Sequence, residues 1–230
     1  MDKFKNYFSK GEILLWVVSV MAIVISFFMF SRDGAITLIA SLIGVTAIII
    51  NAKGNPVGQA IMIVFSILYG IISFSCAYYG EMITYLGMTA PMAVVALISW
   101  LRNPYGDGSE VKVNRIKLPE IVFMAIIGTI VTVVFYFVLK FFHTANLAVS
   151  TLSVMTSFIA VYLTFRRSSF FSLAYALNDI VLVFLWGIAS FSDMSYISVV
   201  VCFVMFLTND IYGFVSWRKM EKRQLFEQVE

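Results

Sequence analysis

Apolar runs of about twenty residues alternate with short polar breaks along the whole chain. Eight such runs stand out, at 13–30, 34–52, 57–79, 82–101, 119–142, 145–165, 169–189 and 194–217. Each is close to the roughly 20 residues that an α-helix needs to cross the hydrocarbon core of a bilayer. The pattern therefore predicts an all-α membrane protein of eight transmembrane helices. The first run follows Lys3, Lys5 and Lys10 as a signal peptide would. It is long, however, and no small-residue cleavage site follows Phe30, so it reads as a retained anchor helix. The longest polar break, 103–118, opens with turn residues (Asn103-Pro104, Gly106-Asp107-Gly108) and then becomes basic. It is expected to be a solvated cytoplasmic linker.

Composition agrees with this pattern. Of the 230 residues 61% are hydrophobic and 13% charged, where soluble domains carry about 25% charged residues. The net charge of +3 would suggest nucleic acid in a soluble chain, but here its placement follows topology. With the N-terminus inside, fourteen Lys and Arg fall on the inner side, and only Arg32 and Lys140 on the outer. That is the positive-inside pattern, and it predicts cytoplasmic termini in an inner (plasma) membrane. Cys76 and Cys202 both lie in apolar runs, so no disulfide framework is implied. His143 is the only histidine, and neither a metal site nor a cofactor is expected.

The chain repeats itself at an offset of 117 residues. Gly70-Ile71, Ser73-Phe74-Ser75, Tyr79 and Ser99-Trp100 recur as Gly187-Ile188, Ser190-Phe191-Ser192, Tyr196 and Ser216-Trp217. Eight identities in register imply a duplicated three-helix unit. Three helices reverse the side of the chain, so the fifth run must be a linker that restores it. The expected organisation is an anchor helix (1–31), a first repeat (32–102), a cytoplasmic loop (103–118), a linker helix (119–144), a second repeat (145–219) and a cytoplasmic tail (220–230). Two like-facing triplets joined this way form a 3+1+3 transporter architecture, with the substrate expected between them near the midplane.

Polar residues inside the runs give the candidate chemistry. Asn55, Gln59, Met62, Ser66, Tyr69 and Ser73 share one helical face. Their offset partners are Ser172, Ala176, Asp179, Val183, Trp186 and Ser190, with Tyr175 and Asn178 on the shoulder. In the last run Phe206, Asn209, Asp210, Gly213 and Trp217 form a further stripe. Serines and glycines in membrane helices commonly serve packing. A carboxylate is different, since at the bilayer centre it costs about 2.5–3.5 kcal/mol on insertion scales. Asp179 and Asp210 are therefore expected to meet a ligand or ion. Tyr79 and Tyr196, and at the other boundary Trp100 and Trp217, suit aromatic belts; Tyr69 and Trp186 suit belt or pocket wall equally. Glu81 is expected in a solvated outer loop, Met88 and Met92 in the core, and a kink at Pro91. Carboxylates, amides and aromatic faces without arginine fit an aromatic, hydroxylated, cationic solute and disfavour a phosphorylated one.

Several stretches carry a resemblance. Ile67-Leu68-Tyr69-Gly70, the run Tyr85-Leu86-Gly87-Met88-Thr89-Ala90-Pro91-Met92, Ser99-Trp100-Leu101-Arg102-Asn103-Pro104, Ala174-Tyr175-Ala176-Leu177-Asn178-Asp179-Ile180 and Asn209-Asp210-Ile211-Tyr212-Gly213 with Ser216-Trp217 resemble the PnuC family of nicotinamide riboside transporters over roughly 34–220. The resemblance implies a SWEET-like fold, a homotrimer in the lipid bilayer, and facilitated diffusion of nicotinamide riboside followed by phosphorylation inside the cell. The family hallmark falls on Asp210, Tyr212, Gly213 and Trp217 and is degraded at the matching Ala93, Val95, Ala96 and Trp100. The expected substrate-binding residues are Gln59, Tyr69, Tyr175, Asn178, Asp179, Trp186, Asn209, Asp210 and Tyr212. Thiamine or another nucleoside is the alternative substrate; an integral membrane enzyme or a scaffold is more remote, for want of a nucleophile–base pair.

Overall fold

The structure is a computed structural model that describes residues 7–30, 35–75, 78–106 and 108–227. Lys3, Lys5, Arg32 and Cys76, on which parts of the charge and thiol readings rest, lie outside the described residues, as does Asp107 of the predicted turn. The described residues form nine α-helices in eight passes: α1 Lys10–Phe30, α2 Ala35–Asn51, α3 Val57–Ser75, α4 Tyr79–Thr84, α5 Ala90–Leu101, α6 Leu118–Phe141, α7 Leu147–Phe165, α8 Phe171–Ser190 and α9 Ile197–Phe226. Seven passes are apolar helical segments of 18 or more residues, and α2 is a shorter one of 17. The only extended pairing among the described residues is the isolated bridge between Pro104 and Val111.

Burial separates two kinds of helix. α6 buries only Gly128 and Leu139, and α1 only Glu12, Ser19, Ile23 and Ser26. Their remaining surface is apolar, as lipid-facing helices require. The other passes bury a face each, and the three polar stripes point inward. Gln59, Ser66 and Ser73, Ser172 and Asp179, and Asn209, Asp210 and Gly213 are all buried. Gly213 is a packing residue, because a Cβ there would stand 2.9 Å from Ser172 Oγ.

Four expectations change in detail. The fourth run is a continuous helical span, Tyr79–Leu101, with a π turn just before the expected proline. A π-helical turn, Tyr85–Thr89, separates α4 from α5, and the Ala90 N–H reaches back to the Tyr85 carbonyl. Pro91 has no N–H for the Gly87 carbonyl and its ring crowds that turn, so the helix widens just ahead of it. The loop 103–117 is not simply solvated. Val111 is 0% exposed; its N–H donates to the Gly54 carbonyl at 3.0 Å, and the Val113 N–H donates to Gln224 Oε1 at 2.8 Å. The expected tail begins as a continuation of α9, which runs to Phe226 and buries Met220, Glu221 and Gln224. Glu221 there accepts from Ser169, Arg115 and Arg218.

The fourth concerns Trp100 and Trp217. Both are 0% exposed, with ring centroids 5.2 Å apart, and neither lies in a belt. The Trp217 indole donates to the Asn51 carbonyl and the adjacent Ser216 hydroxyl to the Ala52 carbonyl, both at 2.8 Å. The Trp100 indole donates to the Thr164 carbonyl and the Ser99 hydroxyl to the Phe165 carbonyl, both at 2.9 Å. Each Ser-Trp pair thus caps the end of a helix in the opposite unit, where the last carbonyls lack intrahelical partners. Indoles spent on helix ends inside the bundle are unavailable to a membrane interface.

Candidate functional site

α8 and α9 bring the two aspartates together. Asp179 is 4% exposed, Asp210 4%, and both line one small cavity. Two carboxyls that face one small cavity repel when both are ionised, so a cation between them would offset the cost. Asp179 Oδ2 has no hydrogen-bond partner, which is costly in a buried place unless a ligand meets it.

The pair opens on a central cavity lined also by Asn51, Met62, Phe65, Tyr85, Thr89, Ser157, Tyr175, Asn178 and Phe206. Its free volume is about 30 Å³, room for one or two waters. Ligand pockets run to about 300 Å³ and upward, so the helices must part to admit an organic solute. The wall nearest the Trp100–Trp217 layer is Phe171, 4.7 Å from the Trp217 ring. At the opposite, distal end Trp186 packs against Tyr78 (4.6 Å), Tyr196 (5.3 Å) and Tyr69 (6.4 Å). Aromatic layers therefore close both ends.

The expected site residues divide accordingly. Tyr175, Asn178, Asp179 and Asp210 line the cavity. Asn178 Oδ1 accepts from Thr156 (2.8 Å) and Ser157 (3.0 Å), which leaves its N–H donors for a solute. Gln59 stands one step back and donates to Asn51 Oδ1 at 2.9 Å. Tyr69 and Trp186 are buried, at 6% and 1% exposure, and belong to the distal layer rather than to a belt. Asn209 and Tyr212 are turned elsewhere. Asn209 donates to Ser19 of α1 at 2.8 Å, and the Tyr212 hydroxyl to Glu12 of α1 at 2.8 Å. Successive helical residues lie 100° apart, and on α9 that rotation carries Asn209 from the Asp210 side toward α1.

Asn51, Thr89, Ser157, Tyr85 and Phe65 line the cavity and were not anticipated. Tyr85 and Thr89 sit in a stretch that carries the family resemblance; Asn51, ending an apolar run, gave no signal. Gly44 has a definite role: a Cβ there would stand 2.3 Å from Phe206 and 2.9 Å from Phe65, so it lets both rings close over the cavity. Among the described residues no cluster of three or more His, Cys, Asp or Glu offers a metal site.

Comparison with known proteins places this architecture. Residues 34–219 match the nicotinamide mononucleotide transporter family. The chain is 23% identical over 220 residues to the nicotinamide riboside transporter PnuC of Neisseria mucosa, covering 91% of this chain and 81% of that one. It is 21% identical to the Haemophilus influenzae nicotinamide riboside transporter PnuC over 193 residues, 83% and 82% of the two chains. A crystal structure of the vitamin B3 transporter PnuC superposes with TM-score 0.82 at 21% identity, over 94% of both chains.

Proposed function

This chain belongs to the nicotinamide mononucleotide transporter family, and on that premise we propose that it carries nicotinamide riboside across the membrane. The observation that supports this reading is the buried pair Asp179–Asp210 in an aromatic-walled cavity whose lining contains no Arg or Lys. Nicotinamide riboside is a flat pyridinium cation with a hydroxylated ribose. In our reading the acidic pair offsets the pyridinium charge, Tyr175 and Tyr85 flank the ring, and Asn178, Asn51 and Thr89 meet the ribose hydroxyls. The mononucleotide adds a phosphate, for which such sites use Arg or backbone N–H groups, so the riboside is favoured over the phosphorylated form.

Transport is by facilitated diffusion. The units α2–α5 and α7–α9 rock against each other and open the Trp217 and Trp186 layers in turn, and phosphorylation by a cytoplasmic kinase retains the product. The termini face the cytoplasm of the inner (plasma) membrane. A homotrimer fits the bare apolar faces of α1 and α6, and native mass measurement of the purified protein checks it. Ligand competition on that protein, with nicotinamide riboside, its mononucleotide and thiamine, tests the substrate. The riboside should win by about tenfold or more, and a better result for thiamine or the mononucleotide overturns the assignment. Asp179→Asn and Asp210→Asn should each weaken riboside binding about 10- to 100-fold, the loss of a charge-assisted contact. Unchanged affinity in both removes the charge-offset role.

A further inference from the structure

Glu81 was expected in solvent and is instead 1% exposed, on α4. Nothing in the carrier reading uses it. Its Oε2 has no hydrogen-bond partner, and the Ser153 hydroxyl of α7 stands beside the carboxyl. An unpartnered carboxyl oxygen at this depth is retained at a cost that structure alone does not offset. Glu81 sits one helical turn before Tyr85, which lines the central cavity. The Tyr69 ring lies 4.4 Å from that of Tyr85. The Tyr69 hydroxyl is also buried without a partner. A carboxyl beside two aromatic faces suits a flat organic cation. A small metal ion would need several hard oxygens at once, and among the described residues no group of three or more His, Cys, Asp or Glu gathers here.

We propose that Glu81, with Tyr69, Tyr85 and Ser153, forms a second substrate station, on the distal side of the central cavity, that receives the cationic ring in transit. The proposal rests on the riboside-carrier reading and deepens it. The central pair holds the solute at rest; Glu81 speeds its passage through the distal layer. Carboxyls lining a low-dielectric path raise the local concentration of cations and their rate of arrival. The station is closed in this structure, like the central cavity, and the π turn between α4 and α5 lies where it would open.

The test uses the full chain in liposomes at zero membrane potential. Initial uptake is compared for nicotinamide riboside, a cation, and for its reduced dihydropyridine form, which is neutral and keeps the same ribose. Glu81→Gln should slow uptake of the cation about tenfold and leave uptake of the neutral form and equilibrium binding of the riboside unchanged. Glu81→Asp should keep the preference for the cation. Should Glu81→Gln fail to fold, Glu81→Met, of similar shape, takes its place. An unchanged cation-to-neutral ratio, or an equal loss for both solutes, overturns the station and leaves the carrier reading standing. Failure of the unsubstituted protein to take up either solute overturns both.

Discussion

At the scale of single residues, the chemistry of this protein is set by a few groups that lipid surroundings penalise. Asp179 and Asp210 stood out in the sequence because a carboxylate in an apolar run has no packing purpose. Asn51, Thr89 and Ser157 did not, because small polar residues are ordinary in membrane helices and only the meeting of helices turns them toward one cavity. Trp217 shows the converse. Its position fits a belt, yet its indole is committed to the Asn51 carbonyl, and the Asn51 side chain lines the cavity. Trp217→Phe removes one buried hydrogen bond and leaves a small cavity where the larger indole stood, so it should cost about 2–3 kcal/mol. That loss is read as a lower unfolding midpoint in detergent, together with weaker riboside binding because Asn51 is released. Trp100→Phe should show the same stability loss with less effect on binding, since its acceptor, Thr164, does not line the cavity. Equal binding losses in the two variants would separate Asn51 from substrate recognition.

At the scale of elements, the π turn Tyr85–Thr89 is the one irregular stretch within a pass that also supplies cavity residues. It exists because Pro91 cannot continue the preceding hydrogen-bond ladder. Pro91→Ala would let residue 91 donate to the Gly87 carbonyl and draw the turn toward regular α-helix, rotating Tyr85 against Thr89. Equilibrium binding should then change little, while uptake in liposomes should slow about tenfold, because conformational steps commonly limit turnover. Uptake at the normal rate would reduce the turn to a static accommodation of proline. α9 carries a second lesson. Its apolar run ends near Trp217, but the helix goes on because Glu221 and Gln224 find partners in the 103–117 loop, at Ser169 and on neighbouring arginines. Hydropathy marks where lipid ends and is silent on where a helix ends.

At the scale of the whole molecule, the crossed Ser-Trp contacts tie α5 to the end of α7 and α9 to the end of α2, and the cavity lies among these helices. If the carrier moves a cation without a compensating ion, an inside-negative potential should drive accumulation. At 100 mV this is worth about 2.3 kcal/mol, or roughly fiftyfold, measurable with a potassium gradient across liposomes. The neutral reduced riboside should not accumulate. A cation distribution indifferent to the potential would mean that charge is balanced in transit.

The amino-acid order by itself determined the helices, their apolar surfaces and the two buried acids, because the bilayer imposes a length of run and a penalty for charge that are read locally. It also carried the recurring Ser-Trp positions, 99–100 and 216–217, since a spacing is read directly along the chain. Tertiary structure decided which way each polar residue turns. Asn209 and Tyr212 went to α1, Trp100 and Trp217 to helix ends, and Glu81 from supposed solvent to the interior. These outcomes depend on which helix stands next to which, and that neighbour relation is a property of the folded bundle that no single run contains.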